Sequence, residues 1–157
     1  MILVTCGTQE PFDRLLAIID KIAPQINDKL IVQCKRGDYD PQNFRIVESL
    51  PSQSHDDLLD RSSFVIAHAG MGTIIKCIEN GKPLIVFPRQ AILGEHRTDH
   101  QIATARQLER TGFVKVAWTD QELENLIKTE FANHNTPDKI ILDFSELTDY
   151  VKDFIGI

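Results

Sequence analysis

The sequence is poor in the residues that mark disulfide-stabilised proteins. Its 157 residues include only three cysteines, together with one tryptophan and two tyrosines. Cys6, Cys34 and Cys77 form no Cys-x-x-Cys pair, and their odd number does not suggest a disulfide framework. Each lies among apolar residues, so we expect three buried free thiols.

Long apolar runs and an excess of basic residues are also missing. No stretch approaches the roughly 20 apolar residues of a membrane-spanning helix. The apolar start of the chain, residues 1–5, has no basic residues before it and predicts a strand, not a signal peptide. The net charge of −6 argues against nucleic-acid binding through a basic surface. The length of 157 residues predicts a single domain over 1–157, and 42% hydrophobic residues are enough for its core. Without a predicted signal peptide or membrane span, we expect the chain in the cytoplasm.

Several common motifs of catalytic and nucleotide-binding proteins are absent as well. The chain has no Walker loop, because no Gly-Lys-Ser/Thr follows the turn of small residues at 68–73. It has no Gly-x-Gly-x-x-Gly fingerprint, since Ile75 stands where the last glycine would be. Without a Gly-x-Ser-x-Gly elbow, a Ser-His-Asp hydrolase is poorly supported.

What is present is an alternation of short apolar runs and amphipathic segments. Strands are predicted over residues 1–5, 30–34, 44–47, 64–67, 84–88 and 113–117. One helix is predicted to begin at Gln9–Pro11 and to stop before Pro24, a second to begin at Ser54, and a third to run from Ile74 to Gly81. Two more helices are predicted over residues 100–111 and 120–131. A linker at 133–138 and a C-terminal amphipathic helix follow. This order predicts an α/β, Rossmann-like, mostly parallel sheet with helices on both faces.

The stretch from Val65 to Ile75 organises the prediction. A buried strand breaks into His-Ala-Gly-Met-Gly-Thr, residues 68–73, and a helix follows. This order places the free N–H groups of a helix N-terminus beyond the end of a strand, where a phosphate binds favourably. Glycines at 70 and 72 allow close approach, and Thr73 is a candidate helix cap or phosphate donor. The alternative is a tight turn that needs glycine only for packing.

Two further loops should meet this turn, because the carboxyl ends of parallel strands share one edge of the sheet. They are residues 7–9 and the polar segment 89–101, whose mixture of donors and acceptors suits hydroxyls and phosphates. A solvated surface with weak ion pairs is the alternative for that segment. His96 and His100 have i, i+4 spacing, but no further ligand pattern supports a metal site. Asp99 is a good N-cap for the helix that follows.

Three ordered motifs resemble the C-terminal domain of glycosyltransferase family 28. They are His68–Thr73, then Gly81-Lys-Pro-Leu-Ile-Val-Phe-Pro88, then Asp99-His-Gln101. The opening Val4–Thr8, followed by Phe12-Asp13, resembles the short stand-alone members of the family. Those members include cytosolic subunits of two-part UDP-GlcNAc transferases and subunits from bacterial exopolysaccharide synthesis, which residues 88–96 resemble most.

The resemblance implies the donor-binding half of a GT-B glycosyltransferase, a hexosyltransferase that uses a UDP-sugar as substrate and needs no metal or other cofactor. It implies that the turn binds the diphosphate and that Asp99 and Gln101 lie near the sugar hydroxyls. The catalytic base is not identified; His68, His96 and His100 are weak candidates. The candidate donor-binding residues are Gly7, Thr8, His68, Gly70, Met71, Gly72, Thr73, Lys76, Arg89, Glu95, Asp99 and Gln101.

One position departs from the family pattern. Many relatives have a glutamate that binds the ribose hydroxyls where this chain has Lys76, and an ammonium cannot accept those hydrogen bonds. This favours an alternative function, a non-catalytic relative that serves as a binding or regulatory partner.

The length implies a partner. A complete GT-B enzyme also needs an acceptor-binding half, and the short members of the family obtain it from a membrane-associated subunit. We therefore expect a nucleotide-sugar ligand and such a protein partner, which would recruit this chain to the membrane surface. The C-terminal helix, with Tyr150, Phe154 and Ile155, is a candidate contact. A homodimer remains an alternative without specific support.

Overall fold

A computed structural model describes residues 1–112 and 114–134, and within these residues the chain forms one parallel sheet covered by helices. Its strands are β1 (Ile2–Thr5), β2 (Leu30–Gln33), β3 (Ile46–Val47), β4 (Phe64–Ala67), β5 (Leu84–Val86) and β6 (Lys115–Val116). Its helices are α1 (Asp13–Ile22), α2 (Ser52–Arg61), α3 (Met71–Glu79), α4 (His100–Thr111) and α5 (Asp120–His134). Short 3-10 turns lie at Ala23–Gln25 and Ala91–Leu93.

The six strands lie in the order β3-β2-β1-β4-β5-β6, and every pairing is parallel. β1 and β4 are central, with Ile2 opposite Phe64 and Thr5 opposite Ala67. Because these strands are covered on both faces, they consist of buried residues throughout rather than alternating polar and apolar ones. The predicted Rossmann-like fold is confirmed.

Side chains of each strand alternate between the two faces and build two apolar layers. On one face, Ile2 and Val4 pack with α1 and α5. On the other face, Leu3 and Val65 pack with α3 and α4. Cys6, Cys34 and Cys77 are buried and free, as predicted.

Several predicted boundaries were wrong. Helix α1 begins at Asp13, not near Pro11, because Pro11 pairs instead with Lys35 in an isolated parallel bridge. Helix α2 begins earlier than predicted, at Ser52, and the strands β3 and β6 are only two residues long. Helix α5 runs to His134, past its predicted end at Phe131, so the predicted linker does not begin at Asn133. The rest of that linker and the predicted C-terminal helix, including Tyr150, lie outside the described residues.

Candidate functional site

The carboxyl ends of the strands form the candidate site. The crossovers run in opposite directions on either side of β1 and β4, so a crevice opens between the loops that follow these two strands. The predicted convergence of three loops is confirmed. Arg89, after β5, donates from Nη2 to the carbonyl oxygens of Cys6 (3.0 Å) and Glu10 (2.6 Å), and the His68 ring lies against Gly7.

The turn between β4 and α3 presents a helix N-terminus to this crevice. Gly70 is the N-cap residue, and the first intrahelical bond runs from Ile74 N–H to the Gly70 carbonyl at 3.2 Å. The N–H groups of Met71, Gly72 and Thr73 therefore precede the hydrogen-bonded part of the helix. Gly72 is exposed, and a Cβ on it would meet no atom within 4 Å, so the space beside the middle residue of the three is open. Thr73 does not cap the helix, since no side chain does.

His68 lies between two glycines. A Cβ on Gly70 would come within 2.3 Å of His68 Nε2, and one on Gly7 within 3.2 Å of its Cε1. Gly70 is thus required for the imidazole and not for ligand approach alone. Burial, followed by the nearby Arg89 guanidinium, lowers the pKa of His68 to about 4. The ring is neutral at physiological pH and is a weak base. Its Nδ1–H donates to the Thr5 carbonyl oxygen at 3.4 Å, so Nε2 carries no proton and the ring offers a phosphate no N–H.

A cleft of about 250 Å³ opens beside the α3 N-terminus. Its lining residues come from the ends of β1 and β2, the start of α2 and the start of α3: Thr5, Gly7, Thr8, Gln33, Leu50, Ser52, His55 and Thr73. Three of these, Gly7, Thr8 and Thr73, were predicted from the sequence. The cleft is thus flanked by the N-termini of two helices, both of which favour an anion.

A polar network forms the floor of the cleft. Thr5 Oγ1 donates to Gln33 Oε1 at 2.8 Å, and His55 Nε2 lies 3.2 Å from the same hydroxyl. Gln33 Nε2 donates to the carbonyl oxygens of Gly7 (3.0 Å) and Glu48 (3.2 Å). The network holds the backbone of Gly7, whose φ is positive at 72°. Sequence reasoning missed Gln33 and His55, because their roles depend on contacts with residues 26 to 50 positions away.

Arg89 and Gln101 are buried on the other side of the crevice. Only 3% of Arg89 and 6% of Gln101 is exposed. Gln101 Oε1 accepts the Arg89 backbone N–H at 3.0 Å, and the Arg89 guanidinium stacks on the Phe12 ring. These predicted donor-binding residues hold the loops together in this structure.

The Glu95 carboxylate forms a second set of internal hydrogen bonds. Arg14 Nε and Nη2 donate to its two carboxylate oxygens at 2.6 and 2.9 Å, and Gln90 N–H donates to it at 2.8 Å. Arg14 also donates to the Pro88 carbonyl and lies 4.1 Å from the Phe87 ring centroid. This arginine, absent from the sequence-based candidates, anchors the start of the 89–101 segment.

The remaining polar residues of that segment lie at its surface. Asp99 is the N-cap residue of α4, but its carboxylate accepts the Ala91 N–H at 3.0 Å instead of capping the helix. His96 Nδ1 accepts the Thr98 N–H, and His100 is exposed. None of the three lines the cleft. Across residues 1–112 and 114–134, no group of three or more His, Cys, Asp or Glu side chains is placed to hold a metal ion.

Lys76 lies one turn beyond Thr73 on α3. Its ammonium forms an ion pair with Asp56 of α2, and both side chains are 39% exposed. The pair bridges the two helices whose N-termini flank the cleft. Lys76 is therefore engaged by a carboxylate in this structure and does not line the cleft itself.

No helix among the described residues has both the length and the apolar character needed to cross a membrane. Taken together, the contacts described above form a crevice with free backbone donors, two helix N-termini and a polar floor.

Comparisons with known proteins agree with this architecture. Residues 1–147 match the glycosyltransferase family 28 C-terminal domain. The chain is 31% identical over 122 residues to the UDP-N-acetylglucosamine transferase subunit ALG13 of Homo sapiens, covering 71% of this chain and 10% of that protein. The chain thus spans about a tenth of the length of the curated relatives it matches.

Two solved structures share the fold. The solution structure of ALG13 has a TM-score of 0.55 and 20% identity, covering 82% of this chain and 83% of that one. MurG of Acinetobacter baumannii has a TM-score of 0.59 and 17% identity, covering 97% of this chain and 49% of that one. With a family match over residues 1–147, the sheet order and the β4–α3 turn described above, this chain belongs to the glycosyltransferase family 28 C-terminal domain family.

Proposed function

We propose that this chain is the donor-binding subunit of a UDP-sugar-dependent hexosyltransferase. The observation that carries the proposal is the open α3 N-terminus beside a cleft of about 250 Å³. The N–H groups of Met71, Gly72 and Thr73 would bind the diphosphate, and the cleft beside them would take the nucleoside. The human relative's name, a UDP-N-acetylglucosamine transferase subunit, supports this assignment.

The same geometry would assist the reaction. Negative charge builds up on UDP as it leaves the sugar, and the fixed N–H groups and dipole of a helix N-terminus stabilise such charge without reorganising. The chain would therefore need no metal ion or other cofactor. Gly7 and Thr8 would complete the diphosphate site, and His68, packed close to Gly7 and Gly70, would support the turn.

The sugar would lie towards the 89–101 segment. Asp99 is exposed there, whereas Arg89, Glu95 and Gln101 are occupied by internal hydrogen bonds and would position the segment. His68 is a weak base, and neither His96, which is partly buried beside Glu10, nor the exposed His100 lines the cleft. We therefore propose that the catalytic base comes from the acceptor-binding partner.

The proposed setting is polysaccharide or lipid-linked oligosaccharide synthesis, of which bacterial exopolysaccharide synthesis is the favoured form. The chain would work in the cytoplasm, where a membrane-associated protein that binds the acceptor would recruit it to the membrane surface. The word "subunit" in the name of the human relative supports a two-part enzyme.

One observation supports a second candidate, a non-catalytic binding or regulatory relative. Lys76 and Asp56 neutralise one another beside the cleft, and an ammonium there cannot accept hydrogen bonds from ribose. Turnover of a UDP-sugar in the presence of the partner would exclude this candidate.

Calorimetric titration of the purified chain with UDP and UMP tests the proposed donor site. If the second phosphate contacts the α3 N-terminus, UDP binds about 10-fold or more tightly than UMP, since charge-assisted hydrogen bonds contribute about 1.5–3 kcal/mol each. Equal affinities, or no binding of UDP by the folded chain, would contradict the proposal.

A further inference from the structure

The hydrogen-bond network beneath the cleft determines which nitrogen of His55 carries a proton. Gln33 places one amide atom within hydrogen-bonding distance of two carbonyl oxygens, those of Gly7 and Glu48, so that atom is the NH₂ group. The other amide atom, Oε1, is then an acceptor and receives the Thr5 hydroxyl proton at 2.8 Å.

The Thr5 hydroxyl has only one proton, and that proton is used by Gln33. His55 Nε2, 3.2 Å from Thr5 Oγ1, must therefore donate to this oxygen, which fixes the Nε2–H tautomer. In a neutral imidazole of this tautomer, Nδ1 is an acceptor. Burial, and secondarily the positive charge of Lys76, lowers the pKa of His55, so the ring stays neutral at physiological pH.

Among the residues that the structure describes, no side chain or backbone N–H donates a hydrogen bond to Nδ1. The carboxylate of Asp56 lies next to it, with Oδ1 3.7 Å away, but this oxygen is itself an acceptor and is paired with Lys76. The imidazole, with 17% of its side chain exposed, lines the cleft next to the first turn of α2. Nδ1 is not a buried atom, so it is an acceptor that a ligand in the cleft can use.

We infer that His55 is a specificity-determining residue, whose Nδ1 accepts a hydrogen bond from the nucleoside part of the bound nucleotide. The donor is a ribose hydroxyl or a base N–H. This inference rests on the proposed function, which places the diphosphate on α3 and the nucleoside in the cleft. The Lys76–Asp56 pair supports the contact because it ties α2, which carries His55, to α3.

Two variants separate this role from a structural one. His55→Gln puts its amide nitrogen near the position of Nε2, so it keeps the bond to Thr5 and loses the acceptor. His55→Asn puts its amide oxygen near the position of Nδ1, so it keeps the acceptor and loses the bond to Thr5. A ligand contact makes His55→Gln the weaker binder, whereas a structural role makes His55→Asn the weaker one.

The experiment is calorimetric titration of the native chain and both variants with UDP, and with inorganic pyrophosphate as a probe of the diphosphate site alone. We expect His55→Gln to weaken UDP binding about 3- to 10-fold, as the loss of one hydrogen bond does. His55→Asn should bind UDP within about 2-fold of the native chain, and pyrophosphate affinity should not change in either variant. Thermal melts establish that both variants are folded.

Two analogues identify the donor. CDP lacks the imide N–H of uracil, and 2′,3′-dideoxy-UDP lacks the ribose hydroxyls. The difference between the native chain and His55→Gln should disappear with one of them. A difference that persists with both would overturn the inference.

The titrations distinguish a failure of the proposed function from a failure of the role inferred for His55. If the native chain binds no UDP, the proposed function fails and this inference fails with it. If the native chain binds UDP and His55→Gln binds it equally well, or if both variants lose affinity equally, only the role of His55 is overturned.

Discussion

Replacing Gly70 by alanine tests the packing of the β4–α3 turn. The backbone of Gly70, with φ −90° and ψ 121°, suits alanine, so any cost must come from the new methyl group. That methyl group would lie 2.3 Å from His68 Nε2 and 2.6 Å from its Cε1. The ring would have to move, and its burial and its hydrogen bond to the Thr5 carbonyl oxygen oppose that movement. Overpacking of this kind costs about 1–3 kcal/mol.

Gly72→Ala is the matched control, two residues away in the same turn. Its methyl group would meet no atom within 4 Å, and alanine favours a helix over glycine by up to about 1 kcal/mol. Urea denaturation should therefore show Gly70→Ala destabilised and Gly72→Ala equal to or more stable than the native chain. In thermal melts, each 1 kcal/mol corresponds to about 2–4 °C. A Gly70→Ala variant as stable as Gly72→Ala would refute this account of His68.

Three further predictions concern charge and burial. Arg14→Gln removes both hydrogen bonds to the mostly buried Glu95 carboxylate, so urea denaturation should show a loss of about 2–3 kcal/mol in the free energy of unfolding. The control Arg36→Gln, at an exposed ion pair, should change this free energy by less than about 1 kcal/mol. Equal effects of the two substitutions would contradict the anchoring role of Arg14. The His68 pKa of about 4 lies below the ordinary 6.5, so the unfolded chain takes up the proton first and about 3 kcal/mol of stability is lost as pH falls from 6.5 to 4. Comparing the native chain with His68→Asn across that range isolates this loss, and parallel pH profiles would argue against it. Cys6, Cys34 and Cys77 should not react with a thiol reagent until the chain unfolds, because all three are buried and burial raises the pKa of Cys77 to about 12; rapid labelling of the native chain would contradict this.

Local patterns were enough to predict most of the fold. The apolar run at Phe64–Ala67 and the helix at His100–Thr111 have the predicted boundaries, because each is bounded by residues with strong local preferences. Gly112, with a φ of 73°, ends α4 as predicted. The predicted start of α1 was wrong because Pro11 pairs with Lys35 in a parallel bridge. Local sequence pattern cannot show a contact between residues so far apart in the chain.

The site was predicted only in part, for a physical reason. The β4–α3 turn is local, so its glycines and free N–H groups could be read from consecutive residues. The contacts of Arg14 with Glu95, and of His55 with Thr5, join residues 81 and 50 positions apart. Both side chains belong to amphipathic helices, where an arginine or histidine normally indicates a solvated face. Only the folded arrangement shows that one anchors a loop and the other lines a cleft.

The most direct test of the donor site places a charge at Gly72. A carboxylate in the first turn of a helix stabilises the helix, whereas it repels an anion bound at the same N–H groups. The measurement is UDP binding by calorimetry for Gly72→Asp, with Gly72→Asn as the uncharged control of similar size. The proposed function predicts that the Asp variant is folded, at least as stable as the Asn variant, and binds UDP at least about 10-fold more weakly than the Asn variant. Equal UDP affinity in the two variants would show that the diphosphate does not bind at the α3 N-terminus.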